Sequence, residues 1–226
     1  MFRQCRLAHM HIQRRRALLA LAAGLGMPAA LRLALAQAQA LQGMRTVRGE
    51  VSVNGKPAAA GSAVRPGDTI VLGKEALATF VVGQDAFLMR GGSRAELIGS
   101  GLLVSALQLV TGRLLAVFGS GGERRLVTST ATIGIRGTGA YIEAEPQRTY
   151  FCLCYGTAEV AATMGGARES YSTRHHESPR YIYGDGRKRA IVPASVANHT
   201  DSELILLESL VGRSPPQSFM DSPVRY

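Results

Sequence analysis

Residues 108–119 of the chain read QLVTGRLLAVFG, two apolar runs separated by Thr111-Gly112 and ended by a further glycine. Runs of the same kind recur along the chain, among them ATFVVG at 78–83, GAYI at 139–142 and TYFCLCYG at 149–156. Apolar runs at intervals of about 8–12 residues, with turn residues between them, are typical of sandwiches, rolls and barrels. The intervals are too short for crossover helices. The sequence therefore predicts an all-β fold, a β-sandwich or β-roll of short strands.

Local signals mark one hairpin and one helix. Asn54-Gly55 lies between two short runs and predicts a tight β-hairpin. Near the end of the chain, Thr200-Asp201-Ser202-Glu203 has the form of a capping box and is followed by an apolar stripe, with Gly212 where a helix C-terminus favours glycine. We expect one C-terminal α-helix that packs against the β body. Docking of a partner on this helix is the alternative.

Composition excludes several classes of protein. The chain has 226 residues, of which 46% are hydrophobic and 26 are glycine, so it can bury a core and favours turns over long helices. Three cysteines are too few for a disulfide scaffold. The net charge of +10 suggests nucleic acid, but six arginines and no acidic residue lie in residues 1–40. Because the excess charge belongs largely to this leader, we expect no nucleic-acid binding.

The first 40 residues have the order of a secretory signal peptide. A basic segment ends at Arg16, an uncharged stretch runs from Ala17 to Leu31, and two overlapping A-x-A sites follow at 36–40. The stretch is short for a bilayer span of about 20 residues. Arg15-Arg16 resembles a twin-arginine export signal, although a general secretory signal is the alternative. We expect a periplasmic or secreted protein that meets the membrane only transiently, during export.

These patterns divide the chain into four parts. Residues 1–40 are the signal peptide and residues 45–160 the β domain. Residues 161–212 are a C-terminal extension with the helix at about 200–211, and residues 213–226, which contain Pro215-Pro216, are an extended, flexible tail.

The middle of the chain resembles the FecR-domain family of periplasmic signalling proteins. The stretch TSTATIGIRGTGAYI at 128–142 is similar to that family's T-P-x-A-x-x-x-x-R-G-T-x-F-x-V segment, with Ser129 in place of the proline and Tyr141 as the aromatic residue. LVTGRL at 109–114 and GDTI at 67–70 resemble two further segments of the family. The resemblance covers roughly residues 47–160. The motif positions carried over are Thr132, Arg136, Gly137 and Thr138.

The resemblance implies a FecR-like β domain and a binding or signalling role. The namesake of the family is an inner-membrane regulator with a sigma-factor-controlling segment, one membrane span and a periplasmic domain that receives a signal from a transporter. Here a leader stands in place of the segment and the span, so only the periplasmic module carries over. The implied partner is an envelope protein, a transporter or a polysaccharide. From the residues themselves, we expect the motif to be structural.

One stretch carries chemistry of its own. In TYFCLCYG at 149–156, a strand would direct Cys152 and Cys154 to the same face because side chains alternate with a period of two. Two thiols on one face can bind a soft metal such as Cu or Zn if further ligands arrive. The candidates for those ligands are His175 and His176, with His199 a more distant possibility.

A disulfide and buried structural thiols are the alternatives to a metal site. The α-carbons of the two cysteines would lie about 6.6 Å apart in a regular strand, at the far edge of disulfide geometry, so a disulfide would be strained and redox-active. Buried structural cysteines are the third possibility, since cysteine is among the most buried residue types.

The sequence shows no hydrolase motif, neither G-x-S-x-G nor H-E-x-x-H, and we expect no enzyme activity and no catalytic residues. The predicted function is a non-enzymatic periplasmic module that binds an envelope or transporter partner. The alternative is a metal- or redox-responsive protein that uses Cys152 and Cys154. A purely structural envelope scaffold is the third possibility.

Overall fold

The computed structural model describes residues 42–120 and 122–222. The chain divides into two units, Met1–Ala40 and Leu41–Tyr226, and every described residue belongs to the second. The predicted signal peptide, including Arg15 and Arg16, lies outside the described residues. Among those residues, no helix combines the length and hydropathy needed to cross a membrane.

The described residues form fourteen strands and two helices, which confirms the prediction of an all-β fold with a C-terminal helix. The strands are β1 (Gly43–Arg48), β2 (Val51–Val53), β3 (Lys56–Pro57), β4 (Thr69–Leu72), β5 (Leu77–Val82), β6 (Asp85–Arg90), β7 (Arg94–Ser100), β8 (Leu103–Val117), β9 (Arg124–Val127), β10 (Ala131–Glu145), β11 (Arg148–Ala162), β12 (Arg168–Thr173), β13 (Arg180–Tyr183) and β14 (Ile191–Pro193). The helices are α1 (Asp201–Leu210) and α2 (Gln217–Met220).

Hydrogen bonds join all fourteen strands into one sheet. Its main path is β14-β13-β11-β10-β9-β8-β7-β4-β2-β3, and β1, β5 and β6 branch from it through the pairing of β6 with β8. The pairings are antiparallel except for β8 with β9. The Asn54-Gly55 hairpin is confirmed: both residues have positive φ, as a tight primed turn requires, and β2 pairs with β3 across them.

Three central strands are longer than the sequence predicts. β8, β10 and β11 each span 15 residues, where the sequence predicts several shorter strands. β11, for example, does not end at Gly156. That glycine has φ of +99° and bends the strand, yet it still pairs with Thr173 of β12. A glycine that seems to end a strand can therefore mark a bend within it, because the ladder on either side continues.

The central strands separate two apolar clusters. One cluster fills the first face of the sheet and includes Leu114, Ile142, Phe151 and Leu153. The second lies on the opposite face, where alternate residues of the same strands meet α1 and α2. Residues of the second cluster include Leu88, Leu115, Tyr141, Tyr150, Cys152, Cys154, Leu204, Leu207 and Phe219. Alternation along a strand places neighbouring side chains on opposite clusters.

The end of the chain covers the second cluster. Helix α1 begins with the predicted capping box: Thr200 Oγ1 accepts a hydrogen bond from Glu203 N, and Glu203 Oε2 accepts one from Thr200 N. Leu204 and Leu207 are fully buried, so the helix packs against the sheet. The predicted extended tail is wrong for residues 217–220, which form α2. Phe219 is 2% exposed, and burying this ring in the second cluster holds the segment in place.

Candidate metal centre

Strand β11 brings two thiols to one face of the sheet. Cys152 and Cys154 are both fully buried, both are free, and both belong to the second cluster. Phe151, which precedes Cys152, and Leu153, which lies between the two cysteines, belong to the first cluster on the opposite face. The two-residue period of the strand therefore places the sulfur atoms side by side, as the sequence predicts.

His176 follows β12 and folds back over the thiols. Its backbone N–H donates to the Cys154 carbonyl at 3.0 Å, and its ring Nδ1 lies 3.4 Å from Cys152 Sγ. The residue is 4% exposed and has φ of +51°. A left-handed backbone is uncommon for a residue other than glycine, and such conformations concentrate at functional sites.

His199 reaches the same place from the segment before α1. Tyr150 holds that segment: its hydroxyl donates to the Ser195 carbonyl at 3.0 Å and accepts from Ala197 N at 3.1 Å. The His199 ring stacks on Tyr141 with ring centroids 4.5 Å apart, and its Nε2 lies 3.1 Å from His176 Nδ1. Four buried residues therefore form one cluster, in which each offers a ligand atom within 4.8 Å of the other three. They are Cys152, Cys154, His176 and His199.

Hydrogen bonds outside the cluster decide which ring nitrogens face it as lone pairs. His199 Nδ1 is 2.7 Å from the Ala197 carbonyl, and His176 Nε2 is 3.0 Å from Asp201 Oδ1. A carbonyl and a carboxylate only accept, so each of these outward nitrogens carries a proton. The inward nitrogens, His199 Nε2 and His176 Nδ1, lie 3.1 Å apart. In a neutral ring the inward nitrogen is a lone pair, and two such lone pairs at this distance require a proton or a cation between them.

Two of the six separations between the candidate ligand atoms are close to those around a tetrahedral ion. Bonds of about 2.3 Å to sulfur and about 2.0–2.1 Å to nitrogen imply edges of about 3.3 Å between two nitrogens and about 3.6 Å between sulfur and nitrogen. The corresponding separations here are 3.1 Å and 3.4 Å. Both are within about 0.2 Å of the tetrahedral value, and the remaining separations are within 4.8 Å.

The electrostatics favour a cation in this cluster. Burial acts to raise the pKa of Cys152, but hydrogen bonds from Cys154, His176 and His199 outweigh it, and the pKa lies well below its usual range. Burial and the neighbouring Cys152 charge raise the pKa of Cys154. For His176, burial acts to lower the pKa, while hydrogen bonds and charges from Cys152 and Asp201 raise it overall. These shifts favour a negative charge on Cys152 beside a positive charge on His176, and a metal ion in the cluster could take the place of the proton on His176.

His175 occupies a neighbouring position. Its Nε2 lies 2.9 Å from Asp201 Oδ2, and its ring contacts Phe219, with centroids 4.6 Å apart. With His176 and Asp201 it forms a second group of potential ligands, which does not include the thiols. The sequence favours His175 and His176 ahead of His199. The structure brings His176 and His199 to the thiols and directs His175 to Asp201.

The FecR-like motif residues lie on β10, outside this cluster. Thr132 pairs with Val127 of β9, and Gly137 has φ of +51° within an irregularity of the β10–β11 pairing. Arg136 is largely exposed, forms an ion pair with Glu123 at 3.5 Å, and borders an open cleft of about 470 Å³. Thr138 is fully buried. An exposed ion pair contributes little stability, and none of the four motif residues belongs to the Cys–His cluster.

Comparison with known proteins gives a limited result. No protein-family model and no curated protein matches the chain. Similar solved structures include two, each described as that of a proposed anti-sigma factor from Parabacteroides distasonis. The first has a TM-score of 0.48 and is 9% identical to this chain. The match covers 62% of this chain and 64% of the solved chain, so this chain spans less than two thirds of that chain's length. The second has a TM-score of 0.47 and 11% identity, with coverages of 61% and 71%. Similarity at this level assigns no function to the chain.

Proposed function

We propose that this protein is a non-enzymatic metal-binding module that holds one Zn(II) or Cu(I) ion through Cys152, Cys154, His176 and His199. One observation carries the proposal: two sulfurs and two imidazole nitrogens converge in a buried cluster, all within 4.8 Å of one another. Thiolate and imidazole are the ligands that both ions prefer.

The histidines distinguish a metal centre from a disulfide and from buried structural thiols. Buried structural cysteines need no lone pairs aimed at them, yet both imidazoles are held in the orientation that aims one. A disulfide between residues two apart in a paired strand would be strained, because the expected α-carbon spacing of about 6.6 Å is at the limit of disulfide geometry. A bound ion would use all four side chains, which already lie within 4.8 Å of one another.

A closed set of four protein ligands favours a structural or sensing ion over a catalytic one. Catalytic zinc usually has three protein ligands and keeps a fourth position for water or substrate. Here all four candidate ligand residues are buried. We therefore propose that the ion does no chemistry on a substrate.

The proposed setting is the periplasm or the extracellular space, and the proposed context is a FecR-type binding or signalling module. The order of the leader supports export, and the 128–142 stretch supports the family context. A bound ion would also protect two free thiols in an oxidising compartment. The proposed partner is an envelope protein or a transporter. Capture with the metal-loaded chain from envelope extracts, compared with the metal-free chain, tests that part separately.

Metal analysis tests the central claim. The mature chain, purified with its thiols reduced, should retain close to one equivalent of Zn(II) or Cu(I) after removal of loose metal, and Co(II) should give the absorption of a tetrahedral thiolate complex. The Cys152→Ser/Cys154→Ser double variant should lose both, with circular dichroism checking that it stays folded. Metal uptake by the double variant equal to that of the wild type would end the proposal.

A further inference from the structure

We infer that Asp201 is the positioning residue of this centre and that it links the ion to the first turn of helix α1. The inference rests on the proposed function and extends it to a residue that ligates nothing itself. Its carboxylate would hold His176 in the orientation and tautomer that present Nδ1 to the ion.

The contacts of Asp201 carry this inference. Oδ1 lies 3.0 Å from His176 Nε2, and Oδ2 lies 2.9 Å from His175 Nε2, so the two oxygens of one carboxylate bind two adjacent histidines. The side chain is 21% exposed, whereas that of His176 is 2% exposed. A carboxylate that accepts from the outer nitrogen of a metal-bound histidine fixes the ring and makes it a better ligand.

Helix capping does not account for this arrangement. An acidic residue in the first turn of a helix is favourable in itself, because it faces the positive end of the helix dipole. The capping box, however, is formed by Thr200 and Glu203, and Glu203 also pairs with Arg90 at 2.9 Å. Asp201 directs both carboxylate oxygens to the histidines.

The position of Asp201 gives the link to the helix. His199, a proposed ligand, comes immediately before the N-cap Thr200, and Asp201 comes immediately after it. The N-cap is therefore held on one side by a ligand and on the other by the residue that orients a second ligand. We expect an ion to slow hydrogen exchange of the backbone amides in the first turn of α1.

A pair of carboxylate-to-amide variants tests the inference on the mature chain. Asp201→Asn replaces one acceptor oxygen with a donor, so it cannot accept from both histidines. Glu203→Gln makes the same chemical change two residues later and disturbs the helix start without touching the centre. We expect Asp201→Asn to weaken Zn(II) binding about 10–100-fold, the usual effect of losing such a partner. Glu203→Gln should change binding much less, and competition with a chromophoric chelator measures both.

Two further measurements separate positioning from a general loss of helix stability. The Co(II) absorption spectrum should change in Asp201→Asn and not in Glu203→Gln, because only the first alters a ligand's orientation. Zn(II) should protect the first-turn amides of α1 in the wild type and much less in Asp201→Asn. Equal weakening in the two variants, or wild-type affinity in Asp201→Asn, would overturn the inference and leave the four-ligand centre standing. A wild-type chain that binds no metal would overturn the proposed function itself.

Discussion

Replacing Gly139 with alanine should loosen the packing of helix α1 on the sheet. An added Cβ would lie 2.5 Å from Tyr155 Cε1 and 3.0 Å from Leu204 Cδ2, closer than carbon atoms pack. The Tyr155 ring is 3% exposed, and its hydroxyl donates to the carboxylate of Glu208 on α1. The ring cannot yield to the new methyl group without disturbing this buried hydrogen bond.

The expected loss follows from these two contacts. Overpacking a filled site costs about 1–3 kcal/mol, and a hydrogen bond to a charged group contributes about 1.5–3 kcal/mol. We therefore expect Gly139→Ala to lower the free energy of unfolding by about 2.5–6 kcal/mol, a large part of the about 5–15 kcal/mol typical of a domain. Equilibrium urea unfolding measures it, with a chelator present so that metal binding does not contribute.

Gly134→Ala is the matched control on the same strand. Its added Cβ would meet Glu123 Oε1 at 3.1 Å, and this flexible carboxylate is half exposed and can move away. Because alanine also restricts the unfolded chain, we expect a change within about 1 kcal/mol in either direction. If the two variants unfold at the same urea concentration, the proposed crowding of Tyr155 is refuted.

Three further predictions concern the centre and the buried charges. Zn(II) at about 100 times its dissociation constant should raise the free energy of unfolding by about 2.7 kcal/mol, and urea unfolding should show no such gain in Cys152→Ser/Cys154→Ser. His199→Gln should lose most bound Zn(II) while His175→Gln keeps about one equivalent by elemental analysis, and the reverse order would contradict the proposed ligand set. Burial raises the pKa of the Asp85 carboxyl above its ordinary value of 3.8, although Gly119 and Arg124 partly offset the effect. The protonated Asp85 carboxyl therefore favours the folded state below that pH, and this stabilisation declines as the pH rises. Urea unfolding from pH 3.5 to 7 should show the wild type losing stability relative to Asp85→Asn, and a relative gain would contradict this sign.

Features that depend on neighbouring residues were predictable from the sequence. The shared face of Cys152 and Cys154 follows from the period of a strand, whatever that strand pairs with. The start of α1 follows from Thr200 and Glu203, which satisfy each other's backbone groups locally. The hairpin at Asn54-Gly55 is local in the same way, since both residues tolerate positive φ.

Features that depend on tertiary packing were not predictable from the sequence. His199 joins the thiols because Tyr150, 45 residues away from Ser195, holds the segment before the helix. His176 adopts a left-handed backbone and contacts Cys152, whereas His175 contacts Asp201, and nothing in the sequence around them requires this arrangement. Asp201 was hidden for a different reason. An acid at the first position of a capped helix is already favoured by the helix dipole, so its presence there does not point to a metal centre.

Strand β11 is buried on both faces, so the Cys–His cluster forms only if the number of residues between the preceding turn and Cys152 stays the same. Phe151 and Leu153 fill one cluster, while Cys152 and Cys154 fill the other. Inserting or deleting a single residue between the turn at 146–147 and Cys152 would exchange the faces, so that sulfur meets the apolar interior and large hydrocarbons meet the histidines. Relatives that keep the four ligands should therefore tolerate length changes beyond the strand but none within this short segment.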